Sequence, residues 1–195
     1  MNIAIIDYKA GNTCSVQFAL ERLGFQPILT NDSAVLEKAD KVIFPGVGAA
    51  AVTMEFLKES GLDQVIKNLK QPVLGICLGM QLLCAFSEEG NVETLGIFPQ
   101  RVKAFDPKKQ LKVPHMGWNR LSCEPVDLLE GVQDLDYAYF VHSYYVEMSP
   151  YTIASCDYGL PFSAALQKDN FYATQFHPEK SGSVGEQILK NFLAI

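Results

Sequence analysis

The sequence predicts an α/β protein built on an open, mostly parallel sheet, with helices on both faces and an antiparallel extension. Two patterns in the first half predict it. Short runs that are apolar throughout alternate with stretches whose apolar residues recur at helical spacing. Strands that read as continuous apolar runs are buried on both faces, as in a helix-covered parallel sheet. The second half changes character, because its strand-like segments are joined by turns. With 195 residues, 48% of them hydrophobic and 19% charged, the chain is expected to fold as a single domain over 1–195.

The elements follow in order. "NIAIID" (2–7) is the first strand. Residues 13–23 carry Val16, Ala19, Leu20 and Leu23 on one helical face, and Gly24 closes that helix. "FQPILT" (25–30) is a second strand, followed by a short helix near 33–39. "KVIFPG" (41–46) is a third strand that ends in a glycine-rich turn, and a helical region covers 50–69. "PVLGI" (72–76) is the fourth strand, and "LGMQLLCAF" (78–86) reads as a helix. "RVKAF", "HMGWNRLSC", "YAYFVHSYYVEM", "TIASCDYG", "FSAALQK" and "FYATQF" are the strand candidates of the extension. "SVGEQILKNFLAI" (183–195) closes the chain as an amphipathic helix.

Bulk properties narrow the function. A net charge of −6 argues against nucleic acid as a partner, since that needs a basic face. No uncharged run is long enough to span a bilayer, so no membrane role is expected. The first apolar run meets Asp7 after four residues and does not read as a secretory leader. Five cysteines, an odd number without a CxxC pair, fit reduced thiols in a cytoplasm. His115, His142 and His177 are scattered without metal-ligand spacing, so neither a metal nor a cofactor is expected.

In open parallel sheets chemistry gathers beyond the carboxyl ends of the strands, and three strand ends stand out. Gly75-Ile-Cys77-Leu-Gly79 has the form of a nucleophile elbow with cysteine as the nucleophile. A strand turning directly into a helix lifts its side chain out of the sheet, and the glycines let the backbones approach. The helix start beyond it favours a thiolate and offers N–H groups to an oxyanion. The alternative is a packed cysteine beside two turn glycines. His177-Pro178-Glu179 follows "FYATQF". Pro178 drives His177 to an extended conformation, and an extended chain presents residues i and i+2 on one side. A cysteine nucleophile needs such a base with an orienting acceptor. An ordinary solvated loop is the alternative. Pro45-Gly46-Val47-Gly48 ends the third strand, and its glycines free the backbone to aim N–H groups inward. No Lys-Ser/Thr phosphate loop follows, so an oxyanion role is preferred over a phosphate cradle, with a plain turn as the alternative. His142 sits in a strand-like run and reads as packed, or as support for the site. Cys84 is expected to face the core.

Together these residues resemble the class I (triad) glutamine amidotransferases. The likeness rests on the G-x-C-x-G elbow followed by Gln81, the P-G-x-G loop and the distal H-P-E. It is narrowed by "DYKAGN", "PGVGA", "GICLGMQLL", "HMGWN", "YFVHSYYV" and "QFHPEKSG", and it spans essentially the whole chain. The resemblance implies a flavodoxin-like fold and hydrolysis of glutamine to glutamate and ammonia. Cys77 would be the nucleophile, His177 the general base and acid, and Glu179 the residue that orients His177. Backbone N–H groups of Leu78 and of the Val47–Gly48 turn would bind the oxyanion. Gly46, Gln81, Ser143 and Tyr144 would hold glutamine. Asn12, Trp118, Tyr139 and Lys180 would face a partner subunit or the ammonia passage. That partner would be a (β/α)8 cyclase of histidine biosynthesis, joined as a heterodimer. Related subunits feed a different barrel synthase in surface-sugar pathways, and a cysteine hydrolase or peptidase on a similar sheet is the reading from another class. The chain departs from the family's usual pattern at Lys9, Ala50 and Thr13-Cys14, which lie near the loop or the partner face.

Overall fold

Apolar runs too short for helices form the strands, and the glycines between elements set where each one stops. The computed structural model describes residues 1–8, 13–46, 48–106 and 111–195. The first half alternates β1 (Ile3–Ile6), α1 (Thr13–Arg22), β2 (Ile28–Thr30), α2 (Ser33–Lys38), β3 (Lys41–Phe44), α3 (Ala50–Ser60), α4 (Leu62–Asn68), β4 (Val73–Ile76) and α5 (Leu78–Leu83). There follow the short strands β5 (Phe86–Ser87), β6 (Val92–Glu93), β7 (Arg101–Ala104), β8 (His115–Arg120), β9 (Ser122–Cys123), β10 (Tyr137–His142) and β11 (Tyr144–Val146). The longer β12 (Thr152–Asp157) and β13 (Pro161–Lys168), then β14 (Phe171–Thr174), precede the closing helix α6 (Gly182–Ala194).

The main sheet has eight strands in the order β2-β1-β3-β4-β14-β13-β12-β9. Its first five are mutually parallel, and the last three add on antiparallel. β1, β3, β4 and β14 are buried along their whole length, as strands covered on both faces must be. Successive residues feed opposite cores. Ile3, Ile5, Leu74 and Ile76 pack toward α1, α6 and the aromatic group Phe140, Phe162 and Phe176. Ala4, Ile6, Val42 and Phe44 pack toward α2, α3, α4 and α5.

Four sequence expectations change. The helix read over 78–86 stops at Leu83, and Cys84 is already extended. Tertiary partners capture its carbonyl: Thr94 Oγ1 donates to it at 2.6 Å and the Gly96 N–H at 2.7 Å, which diverts the chain into β5. The helical region over 50–69 is two helices, because Gly61 adopts φ 73° between them. "YAYFVHSYYVEM" is two strands broken at Ser143. β10 pairs with β8 as a separate ribbon, while β11 joins β7, β5 and β6 in a third sheet. "FYATQF" is not part of the outer extension. It returns as β14 beside β4, parallel to it, inside the main sheet.

That return brings the chain ends of β3, β4 and β14 to one edge. There the backbones pack too closely for side chains. A Cβ on Gly79 would collide with the carbonyl of Phe44 at the end of β3, and one on Gly46 with the backbone of Leu78 and Gly79. Gly79→Ala is therefore expected to destabilise the fold by about 1–3 kcal/mol, as overpacking of a rigid contact does. The urea unfolding midpoint of the purified variant, set beside that of the wild type, checks this.

Candidate active site

β4 runs straight into α5 through Cys77, which takes φ 53° and ψ −107°. A non-glycine residue there stores about 1–3 kcal/mol of backbone strain, so its surroundings must over-determine it. They do so from both sides: the Cys77 N–H donates to the Thr174 carbonyl on β14 at 2.7 Å, and its carbonyl accepts from the Gln81 N–H at 3.2 Å. The sequence expectation of an elbow at Gly75-Ile-Cys77-Leu-Gly79 matches this geometry.

His177 lies three residues beyond β14, on the edge that carries Cys77. Its N–H donates to the Tyr139 carbonyl at 2.9 Å. Ser181 clamps it further, its hydroxyl donating to the His177 carbonyl at 2.7 Å while accepting from the Tyr139 N–H at 2.9 Å. The ring Nδ1–H donates to Glu179 Oε1 at 2.8 Å, and His177 and Cys77 line the same cleft. His177 is extended as expected, but Pro178–Lys180 is a 3-10 turn, so Glu179 reaches the ring by turning back rather than by strand alternation. Both side chains are at most 5% exposed, and Glu179 Oε2 has no hydrogen-bond partner among the described residues.

The electrostatics favour a proton on the imidazole. Burial opposes its charge, but the hydrogen bonds and charges of Cys77 and Glu179 outweigh that, and the pKa of His177 is pushed up to about 10. Among the described residues, the buried thiols Cys84 and Cys156 and the half-buried Cys123 have no imidazole partner. Burial pushes Cys123 up to about 11 and Cys156 up to about 12, with neighbouring carboxylates adding to both, and it pushes Cys84 up as well. Those three are held as thiols at neutral pH.

Cys77 and His177 open onto a cleft of about 340 Å³. Gly46, Gly48, Leu78, Gln81, Ser143 and Tyr144 line it with them. Lys180 and Glu89 add opposite charges, which suits a zwitterion. Glu89 Oε2 also accepts from the Ala50 N–H at 3.0 Å, at the start of α3. Glu89 was not anticipated from the sequence. It arrives through the β5–β6 hairpin, and only its carboxyl group could have marked it. Val47 and Asn12 lie outside the described residues. Trp118 and Tyr139 sit apart from the cleft floor, paired across β8 and β10 with ring centroids 5.8 Å apart. A larger cleft of about 470 Å³ runs over residues 123–134, but it is rich in carboxylates and places no histidine beside Cys123.

A family model described as glutamine amidotransferase class-I matches residues 4–195. The chain is 63% identical over 196 residues to a protein of Bacteroides fragilis named imidazole glycerol phosphate synthase subunit HisH, covering 100% of both chains. It is 50% identical over 198 residues to the protein of that name from Escherichia coli, covering 99% of each. Among solved structures, a putative GMP synthase subunit from Thermoplasma acidophilum superposes with a TM-score of 0.77 at 21% identity. That match covers 100% of this chain and 92% of the other, and it concerns the fold alone.

The raised His177 pKa has a consequence for stability. Its contribution is complete below the unfolded value of 6.5 and is lost as pH rises through about 10. Wild-type stability to urea is therefore expected to fall across that window. Glu179→Gln removes one of the groups that raise the pKa, so its stability should decline less steeply over the same range. Parallel urea titrations of the two proteins check this, and equal slopes would contradict it.

Proposed function

The chain belongs to the class-I glutamine amidotransferase family, and we propose that it is the glutaminase subunit of an imidazole glycerol phosphate synthase, acting in histidine biosynthesis. The observation that carries this reading is Cys77 at its strained elbow and His177, held by Glu179 at 2.8 Å, facing one cleft with Glu89 and Lys180 on its walls. Full-length identity to the relatives named above supports it.

In this reading the Cys77 thiolate attacks the side-chain amide carbon of glutamine. The carbonyl oxygen takes the negative charge, facing the Leu78 N–H and that of Gly48. As the tetrahedral adduct collapses, His177 gives its proton to the nitrogen, and ammonia leaves. A γ-glutamyl thioester remains on Cys77. Water then attacks the thioester carbon while His177 takes its proton. Glutamate leaves, and the thiolate beside the imidazolium is restored. Glu179 holds Nδ1–H throughout, so the other ring nitrogen is the one that exchanges the proton. Gly46, Gln81, Ser143 and Tyr144 hold the amino-acid end, and the Glu89 carboxylate faces its ammonium group. The chemistry calls for no cofactor.

Ammonia then passes to a (β/α)8 cyclase joined as a heterodimer, which makes imidazole glycerol phosphate and an aminoimidazole carboxamide ribotide. An unpartnered face supports a docked partner: Met116 is 61% exposed and Trp118 54%, two residues apart on the outward side of β8. Tyr139 extends that face, and Lys180 on the cleft wall borders the passage. The pair works in the cytoplasm. No helix among the described residues is long and apolar enough to cross a membrane.

Cys77→Ala is expected to lower glutamine-driven ammonia release by several orders of magnitude, as loss of a nucleophile does. Ammonia release is measured on the glutaminase co-purified with its cyclase. Product formed with ammonium salt but not with glutamine by the wild-type pair would contradict the assignment of partner.

A further inference from the structure

One carbonyl sets the direction of a buried chain of hydrogen bonds. The oxygen of Tyr144 receives Gln81 Nε2 at 3.0 Å and His142 Nδ1 at 2.7 Å. A carbonyl only accepts, so both side chains present N–H to it. The orientation of the Gln81 amide is thereby settled. The same NH₂ group reaches Gln175 Oε1 at 3.0 Å, so oxygen is the acceptor end of Gln175 and its NH₂ is the opposite end. That end, Gln175 Nε2, lies 3.8 Å from Cys77 Sγ. The His142 arm holds the same direction: its Nε2 is 3.0 Å from His115 Nδ1, and burial keeps both rings neutral, lowering His115 to about 4 and His142 to about 3.

Gln175 is fully buried, and in "QFHPE" it stands two residues before His177. Phe176 between them points into the aromatic core, so Gln175 and His177 approach the sulfur from the same segment. The Val141 carbonyl lies 3.6 Å from the sulfur on another side and accepts from the protonated thiol. Once the thiol proton has moved to His177, that carbonyl offers the thiolate nothing. An N–H beside the sulfur then stabilises its charge, in addition to the His177 imidazolium.

We propose that Gln175 supplies it: Gln175 Nε2–H donates to the Cys77 sulfur, with its amide locked in that orientation through Gln81 to the Tyr144 carbonyl. It stabilises the thiolate that attacks and the thiolate released when the thioester is hydrolysed. No bond to Gln175 forms or breaks. The proposal rests on reading Cys77 as the nucleophile.

Gln175→Met removes the N–H for the sulfur without placing a charge beside it, and Gln81→Met removes the support of Gln175 while leaving that N–H in place. Alkylation of Cys77 by iodoacetamide is followed on the intact chain across about pH 6 to 9. The expected result in Gln175→Met is alkylation near neutral pH slowed about tenfold to a hundredfold, with the profile displaced to higher pH. In the complex, kcat for glutamine falls more than KM rises. Wild-type alkylation rates in Gln175→Met would overturn the proposal and leave the glutaminase reading standing. Glutamine hydrolysis by Cys77→Ala would overturn that reading, while the alkylation result would still report the contact. Circular dichroism checks folding, and Gln175→Leu, which also lacks the donor, provides the second variant. Should neither fold, the side-chain amide resonance of Gln175 in isotope-labelled wild-type protein is expected to move when Cys77 is alkylated, and an unmoved resonance would overturn the proposal.

Discussion

Phe44 ends its strand with a carbonyl pressed against the α-carbon of Gly79, where no side chain fits. Much of the site depends on that contact. It brings the start of α5 onto the end of β3, so the chain must pass from β4 to α5 without a connecting loop. Cys77 absorbs the change of direction with a positive φ. Gly46 extends the contact by lying on the Leu78–Gly79 backbone, and Gly75 completes it against Leu83 and Gly79. The cysteine is thus set at the mouth of a cleft by backbone on every side. A loop in the same position would let it move, and the geometry of attack would be lost with it.

The second determinant is the place of β14. A strand formed late in the chain inserts beside β4, and its carbonyl at Thr174 receives the Cys77 N–H. His177 is thereby delivered to the edge where Cys77 stands. Tyr139, from the β8–β10 ribbon, fixes the His177 backbone, and Ser181 ties both to the start of α6. In so dry a setting an isolated imidazolium would be unfavourable. Glu179 on one side and Cys77 on the other reverse that, which is why its pKa moves up while those of His115 and His142 move down. One residue type takes opposite charge states according to the neighbours the fold supplies.

Local chemistry made some of this legible in advance. The strands and helices of the first half follow from apolar periodicity, because each is decided by residues close in sequence. The elbow could be read because a cysteine between glycines has few structural uses, and the H-P-E because proline restrains the residue before it. Boundaries governed by distant partners could not be read. α5 ends early because Thr94 and Gly96 take the Cys84 carbonyl, and neither has a helix-stop signature. The run "YAYFVHSYYVEM" looks continuous, yet its halves belong to different sheets. Glu89 and Gln175 escaped notice for the same reason. Each is an ordinary polar residue in its own segment, and becomes part of the cleft or of the sulfur's surroundings only through pairings across the fold.

By itself, then, the sequence determined the element types of the first half, the order of its strands along the chain and the reactive groups available at strand ends. Those depend on side-chain periodicity and on the conformational limits of glycine and proline, which act over a few residues. The tertiary structure alone decided which strand ends meet, which histidine carries charge and which way each buried amide points. Those depend on desolvation and on hydrogen bonds between residues as far apart as Gln81 and Gln175. Their energies exist only once the sheet has closed around them.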